Sequence, residues 1–222
     1  MKQERGRRAG RGRSAVPPEK AGARQERKER TRQALLDAGL ELVAEHGFAG
    51  LSLRQITREV GIVPTAFYRH FRDLDELGLK LVAESFGTLR QMLRAARRDI
   101  TDYGQVIDQS VEILEQYVSQ RRTHFQFIAR ERSSGVMVIR QAIRWELRLF
   151  VSELALDLSR FPVLSEWPAE DLQALAELIV NSMVVTAEGL LDAGSERDRQ
   201  DIVESAKKQL RMIVVGVANW RT

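Results

Sequence analysis

No cysteine occurs among the 222 residues. Disulfides, thiolate metal centres and thiol catalysis are therefore excluded. Histidine is nearly as scarce. His46, His70 and His124 are the only three, and they show no metal-ligand spacing. No uninterrupted apolar run approaches the roughly 18 residues needed to span a bilayer. The basic N-terminus lacks the apolar stretch of a signal peptide. A cytoplasmic protein without a membrane partner is expected. Enzyme signatures are also missing. Gly10-Arg11-Gly12 lies in a low-complexity stretch and cradles nothing, and no nucleophile elbow or acid pair stands apart from ordinary helical surface charge. The expectation is a non-enzyme with no cofactor.

What is present is charge, unevenly placed. The 35 basic and 31 acidic residues leave a net charge of only +4. Residues 1–72 carry 16 basic and 8 acidic side chains, and residues 73–222 carry 19 and 23. A basic end on an acidic body points to a polyanion partner. The hydrophobic fraction of 43% suits a globular core.

Periodicity divides the chain into three parts. Residues 1–23, rich in Arg and Gly, read as a disordered tail. Residues 24–72 read as a small basic unit of three helices. The first runs from Arg24 through Glu45 and stops at Gly47. A capping box at Ser52-Leu53-Arg54-Gln55 opens the second, Leu53–Val60. Gly61 breaks that helix, and Pro64 opens the third, expected over Pro64–Phe71. Asp73-Leu74-Asp75-Glu76 caps the first helix of the remainder, residues 73–222. Helices are expected there near 74–102, 105–119, 122–131, 136–160, 168–191 and 197–219. The fold class is all-α, with about nine helices.

The two short helices flanking Gly61-Ile62-Val63 have helix-turn-helix spacing. Leu53, Ile56, Val60, Ile62, Phe67 and Phe71 supply the packing face. The helix led by Pro64 then exposes Thr65, Ala66, Tyr68, Arg69 and His70, a surface suited to the major groove. Thr65 is placed to meet a base, and Tyr68 and His70 to meet phosphates. Ser52 and Arg54 lie where free backbone N–H groups favour a phosphate. The arginine tail adds sequence-independent attraction or reaches a minor groove. A protein binding nucleic acid through the tail alone is the remote alternative.

Three stretches of this sequence resemble the DNA-binding domain of TetR-family transcriptional regulators. They are Arg32-Gln33-Ala34-Leu35-Leu36-Asp37-Ala38, Gly47-Phe48-Ala49-Gly50-Leu51-Ser52-Leu53-Arg54-Gln55-Ile56 and Gly61-Ile62-Val63-Pro64-Thr65-Ala66-Phe67-Tyr68-Arg69-His70-Phe71. The run from Pro64 to Leu79, with Arg130-Glu131-Arg132-Ser133 and the ending Gln209 to Trp220, is similar to the FabR/DesT-type regulators of unsaturated fatty acid synthesis. Val63-Pro64 departs from the broader family, many members of which place a polar cap there.

The resemblance implies a homodimer formed by the last two helices, reading a palindromic operator in double-stranded DNA. It also implies a ligand pocket in the middle helices. Candidate lining residues are Phe86, Leu89, Leu93, Tyr117, Phe125, Ile128, Ile143, Trp145, Leu147 and Leu154. The subgroup implies a long-chain acyl-CoA or acyl-ACP as effector and repression of fatty acid or membrane lipid genes. A different hydrophobic effector is the alternative. Arg97, Arg98, Arg121 and Arg122 are candidates for the polar head. Arg130-Glu131-Arg132 reads first as an exposed ion-pair network, and second as a link between the body and the DNA-binding unit.

Overall fold

A computed structural model describes residues 18–98, 103–217 and 220. Nine α-helices and no strand occur among the described residues, in agreement with the all-α expectation. They are α1 (Pro18–His46), α2 (Leu53–Glu59), α3 (Pro64–Phe67), α4 (Leu74–Arg98), α5 (Tyr103–Gln120), α6 (Arg122–Glu131), α7 (Met137–Leu158), α8 (Ala169–Asp192) and α9 (Glu196–Val217). A 3-10 turn, Phe48–Gly50, joins α1 to α2.

Helix α1 starts six residues earlier than the sequence predicts. Pro18 opens it, as a fixed φ and a missing N–H permit, so residues 18–23 are helical rather than part of a tail. Residues 1–17 of the expected tail lie outside the described residues. From Gly22 to Arg30 the helix is exposed throughout, so its apolar packing begins only near Leu35 and Leu36.

The local signals around the turn act as the sequence implies. Ser52 and Gln55 form the reciprocal capping box, with Ser52 N–H donating to Gln55 Oε1 at 3.0 Å. Gly61 has φ 70°, a conformation open to glycine at little cost, and Ile62 N–H returns to Thr57 O at 2.9 Å. Helix α3 is shorter than expected. Regular α geometry ends at Phe67, and Arg69 and His70 donate their N–H groups three residues back, to Ala66 O and Phe67 O. At the start of α4, Glu76 N–H donates to Asp73 Oδ1 at 2.8 Å, as the acidic cap predicts.

Two apolar cores hold the chain together. The larger runs from Leu35 and Ile56 through Phe67, Leu81 and Val111 to Leu190 and Leu210, so the small basic unit and the body share it. The smaller, around Val151, Leu158, Leu164, Leu172 and Ala176, joins the end of α7 to the start of α8. Ile179 and Val180 pack against both. Helix α8 is long and apolar enough to pass for a membrane span by length and composition. Its apolar residues instead serve both cores, while Leu178 and Val185 remain exposed.

Candidate DNA interface and effector cavity

The basic unit presents its candidate contacts on one surface. Pro64, Thr65, Tyr68 and Arg69 are exposed, as are Ser52 and Arg54, while Ala66 is half-buried. Beneath them Phe67 and Phe71 are fully buried, with ring centroids 5.6 Å apart. The Ser52 hydroxyl is engaged in its own helix cap, accepting from Gln55 N–H and donating to Gln55 Oε1. His70 is half-buried and its Nδ1 is enclosed, which turns part of the ring inward. Burial and the nearby Lys28, Arg32 and Arg69 lower its pKa. Arg32 of α1 ties this surface to the core. Its guanidinium donates to His70 O and lies 4.3 Å from the centroid of the Phe71 ring.

In the body, a cavity of about 180 Å³ lies between α4, α5, α6, α7, α8 and α9. Phe86, Leu89, Leu93, Phe125, Ile128, Leu147 and Leu154 line it, as do Phe150, Met183, Ala187 and Leu210. Other expected lining residues lie elsewhere. Ile143 is fully buried core, and Tyr117 stands behind the wall, edge-on to Phe125 at 5.6 Å. Trp145 is 60% exposed on the outer face of α7. Aromatic size shows that a residue can bury area; it does not say on which face of a helix.

The polar groups on the cavity wall are Ser110, Arg132, Asp157 and Glu188. Arg132 Nε and Glu188 Oε1 pair at 3.0 Å. Arg132 is the cation on this wall, and Arg121 and Arg122 are not among the lining residues. Arg121 donates to His124, and Arg122 donates to Leu191 O. The side chains of Arg97 and Arg98 lie outside the described residues.

Helix α6 has a second role, and here the exposed-network reading of Arg130-Glu131-Arg132 is overturned. Glu131 is only 1% exposed and accepts from the backbone N–H of Phe48 at 2.9 Å. Arg130 donates to Ala44 O and Glu45 O, the carbonyls that end α1. A cation there also suits the negative end of the helix dipole. Its guanidinium presses on Gly47, whose φ of 74° is a glycine conformation. Helix α6 with its C-cap Arg132 therefore carries Phe125, Ile128, Ala129 and Arg132 on the cavity and Arg130 and Glu131 on the DNA-binding unit.

His124 adds a third tie. Ser85 Oγ donates to Leu81 O, so His124 Nδ1–H donates to Ser85 Oγ, at 2.9 Å. Nε2 is left as an acceptor for Arg121, at 3.3 Å. Protonation would destroy that acceptor beside a cation. Burial first, and the Arg121 charge second, lower the pKa from the usual 6.5. A lowered folded pKa means the unfolded chain binds more protons below 6.5, so stability falls as pH drops from there towards the folded pKa. Thermal midpoints at pH 7.5 and 5.5 should show this loss, and His124→Gln should reduce it.

An all-α regulator with an N-terminal helix-turn-helix and a cavity-bearing body is the class these features define. Residues 35–81 match the model of bacterial regulatory proteins of the tetR family, and residues 103–216 match the tetracyclin repressor-like C-terminal domain. The chain belongs to the TetR family of DNA-binding transcriptional regulators. Solved structures share the fold at low identity. The fatty acid degradation regulator FadR of Bacillus halodurans superposes with a TM-score of 0.68 at 16% identity, covering 81% of this chain and 94% of that one. The transcriptional regulator FadR of Bacillus subtilis, in complex with stearoyl-CoA, gives 0.67 at 15%, covering 80% and 96%. A TetR-family regulator from Syntrophomonas wolfei gives 0.71 at 14%, covering 84% and 96%.

Proposed function

We propose that this protein is a homodimeric, cytoplasmic repressor of fatty acid or membrane lipid genes. Its affinity for a palindromic operator is set by a long-chain acyl thioester held in the body. The observation that carries this reading is the double duty of α6, with one face on an apolar cavity and the other bonded to the end of α1 and to Phe48. An acyl chain suits the apolar wall, and the Arg132–Glu188 pair offers a donor to the thioester end. A stearoyl-CoA complex of a protein with this fold supports the ligand class. Exposed Leu178, Val185, Met212 and Val215 on α8 and α9 supply apolar surface for a two-fold partner. Two copies of the short α3 then meet successive major grooves.

The mechanism is a shift between two spacings of the DNA-binding units. A ligand moves that equilibrium only by its differential affinity, typically ~1–3 kcal/mol, or roughly 5–150-fold in DNA binding. The test is fluorescence anisotropy on the palindrome upstream of the nearest fatty acid synthesis or desaturase gene, without ligand and with saturated or unsaturated acyl-CoA. Unequal shifts by the two thioesters support the reading; tight DNA binding unmoved by either removes the ligand class. Filling the cavity sharpens the test. Ala187 lines it, so Ala187→Phe should leave DNA binding intact and abolish the thioester effect. At the other site, Arg54→Ala should weaken all sequences alike, and Thr65→Ala should relax preference at one base position.

A further inference from the structure

Among the described residues, the wall of the effector cavity carries charge only at Arg132, Asp157 and Glu188; apart from Ser110 the remaining lining is apolar. Arg132 is the single cation of this set, and it is already compensated. Glu188 Oε1 lies 3.0 Å from its Nε. No other partner of the Arg132 side chain occurs among the described residues, so its Nη groups are left able to donate. Asp157, the second acid, pairs with Arg160 at 3.4 Å. Arg132 and Glu188 each keep 35% of their side-chain surface exposed, so the pair stands where the cavity meets solvent. Along α8 the wall runs from Ile179 to Leu191, ~18 Å of helix axis, with Glu188 near one end. A chain lying along this wall has its polar end at the ion pair and its tail towards Ile179.

We propose that Glu188 sets the head-group specificity of the cavity, so that the body accepts a neutral acyl carbonyl and rejects the free carboxylate of the same chain. The inference deepens the acyl-thioester reading above and rests on it. A carbonyl oxygen accepts a hydrogen bond from an Arg132 Nη group and brings no charge next to Glu188. A carboxylate in the same place sets a second negative charge close to the first, where water weakens the repulsion without removing it. It also gives up hydration that a cation already neutralised by Glu188 does not replace. No second cation on the described wall offers it another seat. Because the pair stands at the edge of the cavity, the thiol that carries the acyl group stays in water. Attack of water on a thioester releases that thiol and leaves the carboxylate. The body thus reports activated acyl groups and ignores the spent acid.

The experiment is isothermal titration calorimetry on the full-length protein with two probes of one chain length, below the concentrations at which they form micelles. One is the neutral myristoyl thioester of N-acetylcysteamine, and the other is myristate. The quantity read is the ratio of the two affinities, for the unaltered chain and for E188Q, E188D, R132Q and E177Q. The unaltered chain should favour the thioester by at least about tenfold. E188Q removes the opposing charge and keeps the size of the side chain, so its affinity for myristate should rise by about that factor and the preference should collapse. E188D keeps the charge and should keep the preference. R132Q removes the donor and should lose thioester affinity without gaining myristate. Glu177 is an exposed acid of the same helix away from the wall, so E177Q should leave the ratio where it was. The proposal is overturned if the unaltered chain binds both probes alike, if E188Q gains no affinity for myristate, or if E188D loses the preference as E188Q does. It is overturned equally if R132Q binds the thioester undiminished, or if E177Q moves the ratio as far as E188Q. Binding of neither probe would instead remove the acyl-ligand reading, and the role of Glu188 with it.

Discussion

Replacing Gly78 with alanine is expected to lower the thermal midpoint by roughly 3–10 °C, from an overpacking cost of about 1–3 kcal/mol. A methyl group on this α4 residue would stand 2.5 Å from the Phe48 ring and 2.5 Å from Ile139 Cδ1. Neither neighbour can retreat easily. Ile139 is fully buried at the start of α7, and Phe48 is fixed at its backbone by Glu131 and at its ring by the larger core. At Gly78 both Phe48, beside the DNA-binding unit, and Ile139 of α7 reach α4, so the same methyl should change how the unit seats on the body. Scanning calorimetry reads the first effect. DNA affinity with and without acyl-CoA reads the second, and it should show a smaller ligand response. An unchanged midpoint would mean that Phe48 moves more freely than its bonding implies.

Glu131→Ala should be nearly as damaging and more selective. It removes the acceptor of the Phe48 N–H inside the protein, and an unsatisfied buried donor costs about 1–3 kcal/mol. The larger consequence is functional. With that bond gone, movement of α6 against a ligand is transmitted to the DNA-binding unit by packing and Arg130 alone. The variant should still bind operator, and its affinity should respond weakly to acyl-CoA. Glu131→Gln retains an oxygen acceptor for Phe48 N–H, so its stability should lie closer to the unaltered chain. A full ligand response in Glu131→Ala would show that coupling runs through another contact, with Arg130 and His124 the next to examine.

Much of the fold was legible because the helices carry their own punctuation. Ser52 with Gln55, Gly61, and Asp73 with Glu76 mark starts and stops by chemistry that works within a few residues, and each acts as its residue type implies. The misreadings have a common cause, which is that the deciding partner was distant or absent. The start of α1 was hidden because Gly22 to Arg30 is exposed throughout, so no apolar period announced a helix. Phe71 looked like the end of a continuous helix because it is a buried apolar residue at helical spacing; the chain reaches that position through a tighter turn. The cavity wall could be glimpsed in Phe86, Leu89 and Leu93, which repeat at helical spacing on α4. Trp145 misled because a large ring on a half-apolar helix says nothing about which side meets the neighbours. Glu131 was the hardest to place. Between two arginines it has the profile of a solvated acid, and its partner is a backbone N–H 83 residues away.

The cavity sits at a seam. Phe86 and Leu93 on its wall belong to the larger core, Leu158 belongs to the smaller, and Ile179 and Val180 touch both. A body built this way should loosen first at the end of α7 and the start of α8, ahead of the half that holds the DNA-binding unit. An occupant spanning the seam would act as a rivet. Its effect would appear in the shape of the melting transition as well as in its midpoint: two poorly coupled steps in the empty protein would become a single sharp one, and proteolytic nicking near Phe161–Trp167 would cease when the cavity is full.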